Sequence, residues 1–196
     1  MDRVSVKSYN GSMFAFSNLL LKPGPATSLL EPFAIRTFHE AILWVWRLPY
    51  SRNSDRSNYM LVPIEQKGAC SAKHAFLAQV AAEQSIPLNL CIGIFMMNGE
   101  NTPGIGNVLE ESGLISIPEA HCYLKYKDER YDFTLYEDST LLPNFLYEEI
   151  ISPNQIGDYK IKLHQQWLKN WSQKTNQTLQ FTELWLLREK CIQALS

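Results

Sequence analysis

Cys70, His121 and Asp132 have the side-chain types, in the chain order, that thiol-based nucleophilic catalysis requires. A thiol attacks as its thiolate, a histidine moves the proton, and a carboxylate fixes the histidine tautomer. Cys70 follows Gly68-Ala69 and opens a segment of good helix formers. At a helix N-terminus, unpaired backbone N–H groups and the helix dipole favour the thiolate. The same N–H groups can hold a developing oxyanion. Gly68 lets the backbone turn tightly in front of the nucleophile. Burial as a small inert residue is the commoner use of a cysteine, so the assignment needs a polar partner.

His121 is that partner. It begins a strand, His121 to Tyr126, and a second strand, Glu129 to Thr134, follows a short polar turn. If Lys127-Asp128 forms a two-residue turn, His121 lies opposite Thr134 and Tyr123 opposite Asp132. His121 and Asp132 then become diagonal neighbours on one face, about 7 Å apart between backbones, within reach of each other's side chains. A four-residue turn keeps that face and a three-residue turn destroys it. Either residue alone also reads as an ordinary strand side chain.

Other residues compete for these roles. His74 lies one helical turn after Cys70 and is an alternative base, though no orienting acid accompanies it. Lys73 is expected on the helix surface, answering nearby carboxylates. Gln66, four residues before Cys70, is a candidate oxyanion donor, and a solvated loop glutamine is its plainer reading. A zinc site from Cys70, His121, Cys122 and Asp132 is disfavoured, because adjacent strand residues point to opposite faces. Gly104-Ile105-Gly106 lacks the third glycine of a dinucleotide loop and reads as a loop, with a lid over the site as the alternative. Cys91, Cys122 and Cys191 read as packing residues, as do Trp167, Trp171 and Trp185.

Three blocks together resemble the transglutaminase-like superfamily of papain-related cysteine enzymes. Gly68-Ala69-Cys70-Ser71-Ala72-Lys73-His74 is similar to the turn that starts the nucleophile helix. Ala120-His121-Cys122-Tyr123 resembles the histidine strand, and Tyr131-Asp132-Phe133-Thr134 the aspartate strand. The resemblance spans about residues 60–135. It implies Cys70 as nucleophile, His121 as base and Asp132 as orienting acid. It further implies a papain-like core and chemistry on amide bonds through a thioester. Peptidase, deamidase or amidase action follows if water resolves the thioester, and transglutaminase action if an amine does. Ser71 after Cys70 and Cys122 after His121 depart from the family's usual aromatic neighbours, and no carboxylate cluster for calcium is present, which marks a minimal or divergent member. The rival reading is a protein-binding module with a silent triad; an acyltransferase is a third, without a cofactor motif to support it.

These residues need elements to position them. Apolar residues at helical spacing predict a helix from Phe38 to Trp46 with Thr37 as cap, ending before Pro49. Tyr50 to Asn58 is polar and reads as a loop. The Cys70 helix buries Phe76, Leu77, Val80 and Ala81 and closes at Pro87. Leu88 to Met97 is an apolar run that reads as a buried strand, followed by a loop from Asn98 to Asn107. Phe181, Leu184, Trp185, Arg188, Cys191, Ile192 and Leu195 mark a C-terminal helix. The expected fold is α+β: the nucleophile helix on a small antiparallel sheet, plus C-terminal helices. One domain is expected over 1–196, with its core at about 60–135 and a helical extension at about 155–196.

Composition bounds the partners. The chain has 196 residues, 45% hydrophobic and 19% charged, which suits one globular core rather than a disordered chain. A net charge of −2, without a basic block, gives no ground for expecting nucleic acid or a membrane surface as partner. A protein, peptide or small amide substrate is expected, with no cofactor and no metal. Four dispersed cysteines without a CxxC pair argue against a disulfide framework. The first residues lack the apolar stretch of a signal peptide, so a cytoplasmic, reducing location is expected and the sequons at Asn10, Asn170 and Asn176 read as chance matches.

Overall fold

The computed structural model describes residues 14–136 and 142–195; the Asn10 sequon lies outside them. Helix α1 (Phe38–Arg47) starts at the expected cap. Thr37 accepts the Glu40 N–H, and the Glu40 carboxylate accepts the Thr37 N–H at 2.9 Å, a reciprocal capping box. A short helix α2 (Leu61–Glu65) leads to α3 (Cys70–Glu83), which is buried on nearly every side. Ser85 ends α3 in the left-handed conformation, with Ile86 N–H on the Ala81 carbonyl and Ser85 N–H on that of Ala82. That pairing is a Schellman stop.

Strands β1 (Asn89–Asn98), β2 (Ser116–Tyr126), β3 (Glu129–Tyr131) and β4 (Tyr147–Ile150) form an antiparallel sheet in the order β3-β2-β1-β4. Between β1 and β2 the loop expected to Asn107 gives way at Gly106 to a short helix, α4 (Gly106–Glu110). The tail forms two helices, α5 (Asp158–Lys174) and α6 (Phe181–Gln193). The chain is therefore α+β, with α3 packed against β2 and β1.

Alternate residues of β1 and β2 feed two cores. Ile92, Ile94, Ala120, Cys122 and Leu124 join α1 and α3 in one, while Phe95, Met97 and Ile117 join α4, α5 and α6 in the other. Both faces of the central strands are thus buried, which explains why Leu88 to Met97 carries no polar alternation. Gly93 sits opposite His121, and a Cβ there would collide with the Phe145 ring. Phe145 stacks on Tyr123 in the space that the glycine leaves. Among the described residues, no helix is long and apolar enough to cross a membrane.

The C-terminal helices share the second core, so they should unfold with the rest. Leu184 in α6 is fully buried. Leu184→Ala should cost roughly 2–5 kcal/mol. Urea unfolding followed by circular dichroism and by tryptophan fluorescence should still give one coincident transition. Separate transitions would show that α5 and α6 fold apart from the sheet.

Candidate active site

Cys70 is the first residue of α3, and Ala69 caps the helix without a side-chain bond to its N–H groups. The thiol is buried, yet four groups converge on it. The Lys160 ammonium of α5 lies 3.7 Å from Sγ. The His121 side chain and the Cys122 backbone also act on the sulfur, both favouring its charged form. Ser71 Oγ lies 4.0 Å away and accepts a 2.9 Å bond from Lys160 Nζ.

The β2–β3 hairpin delivers the acid. Leu124 pairs with Tyr131, Lys125 with Arg130 and Tyr126 with Glu129, the register of a two-residue turn at Lys127-Asp128. Lys127 takes the positive φ (53°) that such a turn needs. His121 Nε2 then reaches Asp132 Oδ2 at 2.8 Å, which leaves Nδ1 as the nitrogen for Cys70. The second strand is shorter than expected and stops at Tyr131. The cause is Asp132 itself, whose Oδ1 accepts the Thr134 N–H at 2.9 Å and its hydroxyl at 2.5 Å, turning the chain off the sheet.

Electrostatics favours the charged form of each member. Burial pushes the Cys70 thiol up, but Lys160 and then His121 outweigh it and bring it down to about 6. Burial opposes an imidazolium at His121, yet Asp132 and the thiolate raise it to about 10. Asp132 is held well below the ordinary carboxylate range despite its burial, chiefly by His121. Burial raises the other three thiols, Cys122 to about 12. Cys70 alone among the four cysteines is shifted toward the thiolate.

His74 is removed as a base by its own bonds. Nδ1 lies 2.8 Å from the Cys70 carbonyl, and Nε2 accepts the Phe133 N–H at 2.7 Å. The ring is therefore neutral with its proton on Nδ1, and burial lowers it to about 4. Its work is to tie the Asp132-Phe133 turn to the start of α3. Lys73 also departs from expectation, being buried rather than surface-exposed. Its ammonium donates to the carbonyls of Trp46, Leu48 and Thr134 at 3.4, 2.6 and 2.8 Å, so it fastens the end of α1 and the turn after Asp132 to α3.

Gln66 does not reach the site. It caps α2 in the left-handed conformation (φ 50°) with its side chain exposed, away from the residues around Cys70. The donors that lie beside Cys70 are the N–H groups at the start of α3 and the Lys160 ammonium. Trp185 packs against the second core, as expected of it, and also lines the cavity: it stands edge-on to His164 at 5.1 Å, below the Arg188 guanidinium. Among the described residues no group of three or more His, Cys, Asp or Glu is arranged to hold a metal ion.

Lys160 escaped the sequence reading, although a signal exists. Lys160, His164 and Leu168 recur every four residues on α5 and are all buried, so the lysine lies on the packed stripe of its helix. Comparison with protein-family models, curated proteins and solved structures gives no match for this chain.

Alkylation should separate these roles. Iodoacetamide at mildly acidic pH, mapped by peptide mass, should modify Cys70 before Cys91, Cys122 or Cys191. His74→Ala should lower stability by about 1–3 kcal/mol, because Phe133 N–H loses its acceptor, and should leave Cys70 the fastest thiol. His121→Ala should slow Cys70. Slowing by His74→Ala but not by His121→Ala would reverse the assignment of the base.

Proposed function

We propose that this protein is a thiol-dependent amide-bond enzyme on a transglutaminase-like, papain-related core. The observation that carries the reading is geometric: Cys70 opens α3 with the Lys160 ammonium 3.7 Å from its sulfur, and the half-buried His121 holds Asp132 at 2.8 Å, neighbours that favour the charged form of each member. A nucleophile at a helix start, a histidine on a neighbouring strand and an acid at the end of the next strand support the kinship.

The Cys70 thiolate attacks the carbonyl carbon of an amide, forming a C–S bond as the carbonyl electrons move to oxygen. The α3 N–H groups and the Lys160 ammonium face that oxyanion. On collapse the C–N bond breaks, and the His121 imidazolium gives its proton to the leaving amine. Asp132 holds the ring throughout. The thioester is then resolved by an incoming nucleophile, whose proton returns to His121. Water gives net hydrolysis, and an amine gives transamidation. Protein, peptide and small amides are all compatible donors, and a reducing, cytoplasmic setting would keep the thiol competent.

Trapping the intermediate tests this reading. With a panel of activated amides (nitroanilides, aminocoumarides), acid-quenched intact mass spectrometry should reveal an acyl adduct on Cys70. Cys70→Ala should abolish it. His121→Ala should slow its formation by about 10²–10⁴-fold, and Asp132→Asn should do so less completely. The double variant should lose little more than His121→Ala alone. Adduct formation at full rate in His121→Ala would remove the triad from the chemistry.

A further inference from the structure

A cavity of about 420 Å³ opens beside Cys70. Its wall holds four cations, Arg52, Arg56, Lys160 and Arg188, against two carboxylates, Glu119 and Glu189. Both carboxylates are occupied. Glu119 grips Arg188 with both oxygens, at 2.6 and 2.5 Å. Glu189 takes Arg52 at 2.6 Å and Arg188 at 2.7 Å. Arg56 stands 56% exposed at the mouth and reaches only the Glu189 oxygen that Arg52 already holds, at 3.9 Å. Lys160 is 8% exposed and has no carboxylate within ion-pair distance among the described residues; its partners are Ser71 and Cys70. Two positive charges therefore exceed the carboxylates on this wall.

In the resting site the Cys70 thiolate answers Lys160. Acylation removes that answer, because the sulfur becomes a neutral thioester while the ammonium stays buried 3.7 Å from it. A buried charge without a counter-ion is costly. A negative group on the acyl chain would restore the balance, with a second cation waiting at the entrance.

We propose that the cavity takes a carboxylate-bearing acyl donor, its anion held by Lys160 at the floor and steered by Arg56 at the mouth. This rests on Cys70 being the nucleophile, and the test separates the two claims. Rates of Cys70 modification by iodoacetate and by iodoacetamide are measured on the full chain at matched pH, with 2-mercaptoethanol as a neutral reference thiol. The iodoacetate-to-iodoacetamide ratio should exceed the reference ratio by about tenfold or more, since a cationic cleft concentrates anions. Arg56→Gln should lower the ratio, Lys160→Met should lower it further, and high salt should shrink it in the wild type. If Lys160→Met fails to fold, the exposed Arg56→Gln decides. Selective labelling of Cys70 at the reference ratio overturns the anion site and leaves the nucleophile standing. A raised ratio that neither variant changes overturns the assignment to these cations. Failure of both reagents to single out Cys70 takes down both claims.

Discussion

The site depends on one constraint: charges largely withdrawn from water around the start of α3 must neutralise one another. Cys70, His121, Asp132 and Lys160 alternate in sign when the thiol is ionised. A buried charge that loses its partner costs several kcal/mol, so each member holds the others in their charged forms. The thiolate is thus a property of the set rather than of the cysteine. It also gives the hairpin register physical weight, because a slip of one residue would carry Asp132 to the other face and leave His121 unpaired.

Much of the surrounding architecture reads as support for that set. His74 looks like a rival base and Lys73 like a surface charge on the same helix, but both are used up in bonds to backbone. They fasten the turn after Tyr131 to α3, alongside the buried Phe133 ring that anchors the same segment in the main core. Gly93 and Phe145 shape the sheet on the opposing strand. On the far side, the closed Glu119–Arg188 pair forms a wall of the cavity, leaving Lys160 facing the sulfur.

The sequence made local geometry legible and distant geometry obscure. The two-residue turn at Lys127-Asp128 was enough to place His121 beside Asp132, because strand periodicity propagates register over a few residues. Thr37 likewise announced the first cap, which Glu40 completes in the structure. Lys160 was hidden because its contact spans 90 residues and a lysine on a helix ordinarily faces water. Gln66 failed for the opposite reason: nearness in sequence to Cys70 meant nothing once the left-handed cap of α2 turned it outward. The early end of β3 came from an aspartate bonding to its own backbone, a competition that strand patterns do not register.

The central claim, that Cys70 is held as a thiolate by its neighbours, can be measured without any substrate. Thiolate absorbance near 240 nm, taken as the difference between wild type and Cys70→Ala, reports the ionisation directly as pH is raised from acid. The structure predicts a midpoint near pH 6, from burial opposed by Lys160 and His121, and a clear upward move of that midpoint in His121→Ala. A midpoint at or above the ordinary thiol value of about 8.5 in the folded wild type would contradict the account.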